Sequence, residues 1–340
     1  MIIISPSGNL YGSEKVLIDY LEKTNLKHLV FVPSKSILFN YLTSKDNKHK
    51  IRAYNPVNLK ILYLFIAVKL LLKKSNAVYI NEAGHIRYLK LLARLFKKAK
   101  FFAHVRILED TNTERLGKLP VNLKLITVSD FMLKNLNNYY CKRVYDPYPF
   151  TSRTLPKLNG DNKIRFGVVG RITKTKGFDE IKKLILSNLF RNLNFSFNFY
   201  GSVTPEVEKE FIDLIKRLSN VKHHGFVHNK DEIYNNIELL LHFNSNESLG
   251  RIILEAIDFN KPFVCSNEGG TGEIVKLLQL EELTIDFTKD KWIDDFITLT
   301  DKIIEHYDFY VNKISNAKEK AKIIFDLNNY VKEIEDIFNQ

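Results

Sequence analysis

Short apolar runs alternate with longer amphipathic stretches through the first half of the chain. Ile2–Ser5, Leu29–Val32, Ala77–Ile80, Lys100–His104 and Leu125–Val128 are brief and mostly apolar, the signature of strands. Between them Ser13–Glu22, Leu59–Lys74, Ile86–Lys98 and Asp130–Tyr139 follow a helical pattern. Strands that alternate with helices predict a parallel sheet with helices on both faces.

The rhythm breaks between Arg143 and Asn162, where Pro147, Pro149 and Pro156 precede Asn159-Gly160-Asp161-Asn162, a composition suited to a connection between domains. It restarts with strand patterns at Ile164–Val169, Asn194–Tyr200, Val221–His224, Leu239–Phe243 and Pro262–Cys265. A helix follows Gly177. Another opens at Thr204-Pro205, with proline suited to the first helical position. Ile303, Tyr307, Tyr310, Ile314, Ala317, Ala321 and Ile324 then recur at helical spacing, and Asn328-Asn329 suggests a bend before Val331. The chain reads as two α/β halves in tandem, residues 1–150 and 151–318, with a terminal helical segment at 319–340.

Composition narrows the class. At 340 residues and 45% hydrophobic, there is core material for two globular domains. No internal repeat or low-complexity tract appears. Cys141 and Cys265 form no CxxC pair and read as reduced thiols, as in a cytoplasmic protein. The start, MIIISPSG, lacks the charged region of a signal peptide and reads as a first strand entering a glycine turn. The most apolar window, Leu59–Leu72, is shorter than the roughly 20 residues a spanning helix needs and is interrupted by Lys60 and Lys69. The net charge of +12 favours a polyanionic partner: nucleic acid, anionic lipid or a phosphorylated small molecule.

Three segments of the second half carry candidate chemistry. GVVGRITKTKG (Gly167–Gly177) is a strand ending at Gly170, followed by Arg171 and Lys176. At the carboxyl end of a strand such a pair can clamp a diphosphate, the arginine by its planar fork and the lysine as a point charge. The segment is equally readable as a solvated basic turn. NESLGRIILEA (Asn246–Ala256) sets Glu247 and Glu255 around Gly250-Arg251. Eight residues of continuous helix would separate the two carboxylates by about 12 Å, comparable to a nucleotide sugar from ribose to hexose. Carboxylates accept hydrogen bonds from vicinal hydroxyls, though each glutamate alone reads as surface charge. NEGGTGEIV (Asn267–Val275) places Gly269, Gly270 and Thr271 at a helix start, where backbone N–H groups can face an anion.

In order, GRxxxxKG, ExxGRxxxE and PxxxSxxGGxxE resemble the retaining glycosyltransferases of family 4, the group 1 glycosyltransferases; the resemblance is strong over Ile164–Val275 and looser elsewhere. It implies the GT-B fold: two Rossmann-like domains facing across a cleft, with a C-terminal helix crossing back to the N-terminal domain. The C-terminal domain would hold a nucleotide-sugar donor and the N-terminal domain a glycan or lipid-linked acceptor. Glu255 would bond the ribose, Glu247 the donor sugar, and Arg171 and Lys176 the leaving diphosphate. Gly170, Gly250, Arg251, Gly269, Gly270 and Thr271 would complete the donor site. No metal and no cofactor is implied, in keeping with the lack of a DxD motif.

In the first half, Gly8 and Tyr11-Gly12-Ser13-Glu14 resemble the family's glycine loop, and His104, near Arg106, its cleft histidine. Departures are Tyr11-Gly12 in place of paired glycines, Leu249 in place of a common phenylalanine, and Asn244-Ser245-Asn246 in place of a proline–serine approach. His223-His224, neighbours in a strand pattern, should face opposite ways and make poor co-ligands.

The implied reaction is departure of a nucleoside diphosphate with same-face attack by the acceptor, in the setting of bacterial surface polysaccharide such as lipopolysaccharide or capsule. A basic amphipathic segment, Ile86–Phe102, could rest on anionic lipid at the inner membrane face, with Arg87, Lys90, Arg94 and Lys97 on one side and Tyr88, Leu91, Leu92 and Leu95 on the other. It also reads as a domain helix with a solvated face. Alternatives remain open at this level. Another GT-B enzyme, such as a sugar-nucleotide epimerase, would need no acceptor, and a phosphorylase would be longer with a cofactor lysine. An inert scaffold would not need both glutamates. Nucleic-acid binding lacks any zinc-finger or RNP-like motif.

Overall fold

Ile2, Ile3 and Ile4 form the first strand, β1 (Ile2–Ile4), and are fully buried in the computed structural model, which describes residues 1–158, 160, 163–187 and 195–340. The chain divides into two units. The first comprises Met1–Tyr148 with Phe325–Gln340, and the second Pro149–Ile324.

The first unit runs β1, α1 (Gly12–Lys23), β2 (Leu29–Pro33), α2 (Ile37–Ser44), β3 (Lys50–Tyr54), α3 (Leu59–Leu71), β4 (Ala77–Ile80), α4 (Ile86–Leu95), β5 (Lys100–Val105), α5 (Thr113–Leu116), β6 (Leu123–Thr127), α6 (Asp130–Asn135) and β7 (Cys141–Arg143). Its sheet has the order β3-β2-β1-β4-β5-β6-β7, parallel throughout. The order reverses between β1 and β4, the Rossmann arrangement. The central strands show nearly unbroken burial, as expected where helices cover both faces.

The second unit repeats the plan: β8 (Ile164–Val169), α7 (Phe178–Leu186), β9 (Phe195–Tyr200), α8 (Pro205–Arg217), β10 (Val221–His223), α9 (Lys230–Asn235), β11 (Leu239–His242), α10 (Arg251–Asp258), β12 (Phe263–Ser266), α11 (Gly269–Leu277), β13 (Thr284–Ile285), α12 (Trp292–Glu305) and α13 (Tyr307–Ile324). Its order is β10-β9-β8-β11-β12-β13, again parallel, with the reversal between β8 and β11. Phe166 packs between Phe195, Phe197 and Phe296 in its core.

A last helix, α14 (Leu327–Asn339), belongs to the first unit. Its Tyr330, Ile334, Ile337 and Phe338 join the cluster around Val16, Tyr20 and Tyr79. Phe338 contacts the rings of Tyr79 and Phe102 at centroid distances of 5.3 and 5.0 Å.

Several boundaries differ from the sequence reading. The terminal break falls at Phe325-Asp326, not at Asn328-Asn329, because the Asp326 carboxylate caps α14 by accepting from the Asn329 N–H at 2.9 Å. The Ile86–Phe102 segment is no single helix. Helix α4 ends at Leu95, Lys97 lies beyond it, and Lys100–Phe102 belong to β5. Its buried face is Ile86, Leu89, Leu92 and Ala93, while Leu91 and Leu95 point outward, so the apolar face proposed from spacing was rotated from the real one. β3 escaped notice because it is an exposed edge strand, Lys50-Ile51-Arg52-Ala53-Tyr54, with no apolar run. Asn159, Asp161 and Asn162 of the expected connection, and Asn194 of an expected strand, lie outside the described residues. Among the described residues no helix is long and apolar enough to cross a membrane.

Candidate active site

In open α/β sheets, ligands collect where the strand order reverses, beyond the carboxyl ends of the strands. In the second unit that point lies between β8 and β11, and both glutamate and basic candidates emerge there.

β8 ends at Val169 and is followed by Gly170, whose φ of +126° is open to glycine alone at little cost. Its N–H bonds Tyr200 O at 2.9 Å. Arg171 follows, exposed, with no side-chain hydrogen bond or ion pair among the described residues. The chain then makes a tight turn at Lys174–Lys176 and enters α7 through Gly177, φ +79°. A side chain at Gly177 would meet Phe243 O at 2.4 Å, so glycine lets this turn press against the segment leaving β11. Glu206, at the start of α8, holds the turn from the other side. It accepts from the Thr173 hydroxyl and from the Lys174 N–H at 3.2 Å. Those bonds, the Thr173 one foremost, keep its carboxyl below the usual range.

After β11 come Asn244 and Glu247. The Glu247 carboxylate receives the Lys176 ammonium at 2.5 Å and the Asn244 amide at 2.6 Å on the same oxygen. Burial pushes this carboxyl up, but Lys176, His242 and the Asn244 bond outweigh it and hold it below the usual range. His242, buried beneath, has Nε2 3.7 Å from that oxygen, too far for a hydrogen bond. Burial drives its pKa down to about 4, so the ring is neutral at pH 7.

α10 starts at Arg251 with Gly250 in the left-handed region, φ +77°. Glu255 therefore sits about one turn into the helix while Glu247 lies in the loop, and the 12 Å estimate from continuous helix does not apply. Glu255 is paired with Lys230 of α9 at 2.5 Å. Arg251, the first residue of the helix, is half-buried.

The glycine loop serves first as packing. The Gly270 N–H donates to the Glu247 backbone carbonyl at 2.6 Å, and a side chain there would meet Ser248 O at 2.4 Å. At Gly269 a side chain would meet Ser245 O at 2.6 Å. Thr271 is fully buried, its hydroxyl without a hydrogen-bond partner among the described residues, and a side chain at Gly250 would strike it at 2.9 Å. The two loops are thus clamped back to back, which sets the Glu247 backbone.

In the first unit, Gly12 opens α1, where the Tyr11 N–H bonds the Glu14 carboxylate at 3.1 Å. His104 ends up wholly enclosed. Its Nδ1 accepts from the Arg106 guanidinium at 3.2 Å and faces the Tyr79 hydroxyl at 2.9 Å, which puts its proton on Nε2. Burial, with Arg106, holds its pKa well below the ordinary value. Arg106 also pairs with Asp146 and donates to Tyr330 Oη at 3.3 Å, tying α14 to the strands. A side chain with no accessible surface meets no acceptor unless its cover moves.

His242, Lys230 and Glu206 have no counterpart in the sequence reading, and Asn244 enters there only as a departure from the motif. His242 and Asn244 flank the end of β11, just before the ExxGRxxxE segment; Lys230 and Glu206 are partners that only folding reveals. Among the described residues no group of three His, Cys, Asp or Glu side chains is arranged to hold a metal ion.

Residues 154–320 match the model of the family described as glycosyl transferases group 1, a stretch that contains Arg171, Lys176, Glu247, Glu255 and the glycine loop. By that match residues 154–320 are similar in sequence to glycosyl transferases group 1. No curated protein matches. Among solved structures, Anabaena HepE in complex with UDP and glucose is 17% identical with a TM-score of 0.73, over 100% of this chain and 99% of that one. A glycosyltransferase from Rickettsia africae is 17% identical at 0.73, over 99% and 97%. The lipopolysaccharide outer core galactosyltransferase WaaB, apo form, is 16% identical at 0.71, over 100% and 99%. These likenesses show the fold, two Rossmann-like units of the GT-B type.

Proposed function

We propose that the chain transfers a sugar from a nucleotide-sugar donor to a glycan or lipid-linked acceptor, in the assembly of a lipopolysaccharide or related polysaccharide. One observation carries this reading. At the strand-order reversal of the second unit, an arginine with no partner among the described residues and a lysine–glutamate pair emerge from adjacent strands, within the stretch that matches glycosyl transferases group 1. HepE, of the same fold, binds UDP and glucose, and WaaB is a lipopolysaccharide galactosyltransferase; both support a UDP-sugar and that setting.

The residues divide the work as follows. Arg171, exposed and without a partner among the described residues, meets the diphosphate. Lys176 is occupied by Glu247 at 2.5 Å, so a donor phosphate must take the lysine from it. That exchange releases the Glu247 carboxylate for hydroxyls of the sugar, so phosphate capture and sugar recognition are coupled through a single pair. Glu255 faces the same choice between Lys230 and the ribose. As the diphosphate leaves, negative charge grows on it, and Arg171 and Lys176 stabilise that charge more than they stabilise the bound donor. His242, neutral, packs under Glu247 without adding charge. Following the motif resemblance, the transfer retains configuration and needs no metal. The first unit takes the acceptor, His104 acting at most through Tyr79 and Arg106.

Calorimetric titration with UDP-, GDP- and ADP-sugars, followed by donor-hydrolysis assays with the best ligand, tests this. Binding of one donor class with micromolar affinity and slow hydrolysis is expected; no association with any of them overturns the reading.

A further inference from the structure

Helix α3 is apolar all round. Leu62, Tyr63, Ile66 and Leu70 face the first unit's core, and at helical spacing Ile61, Leu64, Phe65, Val68 and Leu72 span an arc of about 100° on the opposite side. With Leu71, each of these side chains is between 42% and 69% exposed. Single exposed apolar residues are ordinary, but a contiguous row on one helix marks a contact surface.

Charge surrounds this row. Lys60 lies at one edge of it, Lys69 extends over the Phe65 ring 5.0 Å from its centroid at the other, and Lys73 and Lys74 follow the helix end. The neighbouring helix α4, joined through stacked Tyr63 and Tyr88 rings 4.8 Å apart, exposes Arg87, Leu91, Arg94 and Leu95. From Asn47 to Leu108 fourteen lysines and arginines stand against one acid, Glu82, a surplus slightly larger than the +12 of the whole chain. The molecule's net positive charge is therefore concentrated in the segment that carries α3.

We infer that the outer face of α3 docks the first unit on a bilayer surface rich in anionic lipid. An aliphatic row enters the boundary between headgroups and acyl chains, while flanking lysines meet lipid phosphates and snorkel along their stems. A second copy of the chain fits poorly, because the same lysines would face one another. A nucleic acid would take the lysines but leave the aliphatic row in water. The helix is too short to span and lies in the surface plane. This surface replaces the basic face of α4 as the membrane contact, and it does not depend on the transfer reaction.

The test is co-sedimentation of the full chain with vesicles of phosphatidylglycerol and phosphatidylcholine, against phosphatidylcholine alone, at low and high salt. Binding to the anionic vesicles, weakened by salt, is expected. Leu64→Glu with Val68→Glu should reduce it at least tenfold, whereas Val121→Glu, at an exposed valine off this helix, should leave it intact. Lys60→Glu with Lys74→Glu, at exposed positions where folding is not at stake, should reduce it severalfold. Failure to bind anionic vesicles, equal binding by all variants, or a vesicle-free dimer that the Leu64 and Val68 substitutions split would each overturn the inference.

Discussion

Glu247 shares one carboxylate oxygen between Lys176 and Asn244, while Arg171 has no partner among the described residues. The two basic residues therefore respond differently to substitution. Arg171→Ala removes an exposed side chain without leaving a partner behind, so thermal stability should hold while turnover falls about 100-fold, with donor affinity reduced less. Lys176→Met also strands the Glu247 carboxylate against neutral His242, so donor binding and thermal stability should both fall. Measuring kcat, KM and Tm for the pair separates the two roles; unchanged turnover in Arg171→Ala would remove that residue from the mechanism. Both residues were legible in the sequence, because a strand ending in glycine followed by Arg and Lys-Gly is a local pattern. Their unequal pairing was not, since Glu247 lies 71 positions from Lys176.

At the scale of elements, α14 shows how a terminal helix can close a core begun at residue 1. Ile334 is buried among residues of α1, β2 and β4 although it is encoded more than 250 positions after them. Ile334→Ala should destabilise the first unit by about 2–4 kcal/mol in urea unfolding, whereas Ile323→Ala, on the exposed side of α13, should change stability by less than about 0.5 kcal/mol. Helical periodicity announced this helix, but not its start: the Asp326 cap overrides the two asparagines that looked like a break. Likewise α3 was legible as an apolar helix. Which side faces the core was not, because apolar residues all round give spacing nothing to discriminate.

For the whole molecule, buried neutral histidines set the response to acid. Burial lowers His28 to about 3, and His85 and His242 to about 4; His49 and His104 shift in the same direction. With folded values below the unfolded 6.5, their contribution is complete above pH 6.5. It is lost as pH falls toward the folded values, because the unfolded chain takes up protons first, at about 1.4 kcal/mol per pH unit for each fully shifted group. Four of these five lie in the first unit. Amide exchange at pH 7 and pH 5 should therefore show the first unit losing more protection than the second; equal losses would contradict the assignment.

By itself the sequence determined the tandem α/β plan, the strand and helix periods and the order of the arginine–lysine and glutamate segments, because each is written in neighbours along the chain. Tertiary structure alone decided that Lys176 and Lys230 occupy the two glutamates, that His104 is sealed inside a network and that α3 turns six apolar side chains outward. Those outcomes depend on which distant surfaces meet when the sheets close, and a pairing across tens of residues leaves no local periodic trace.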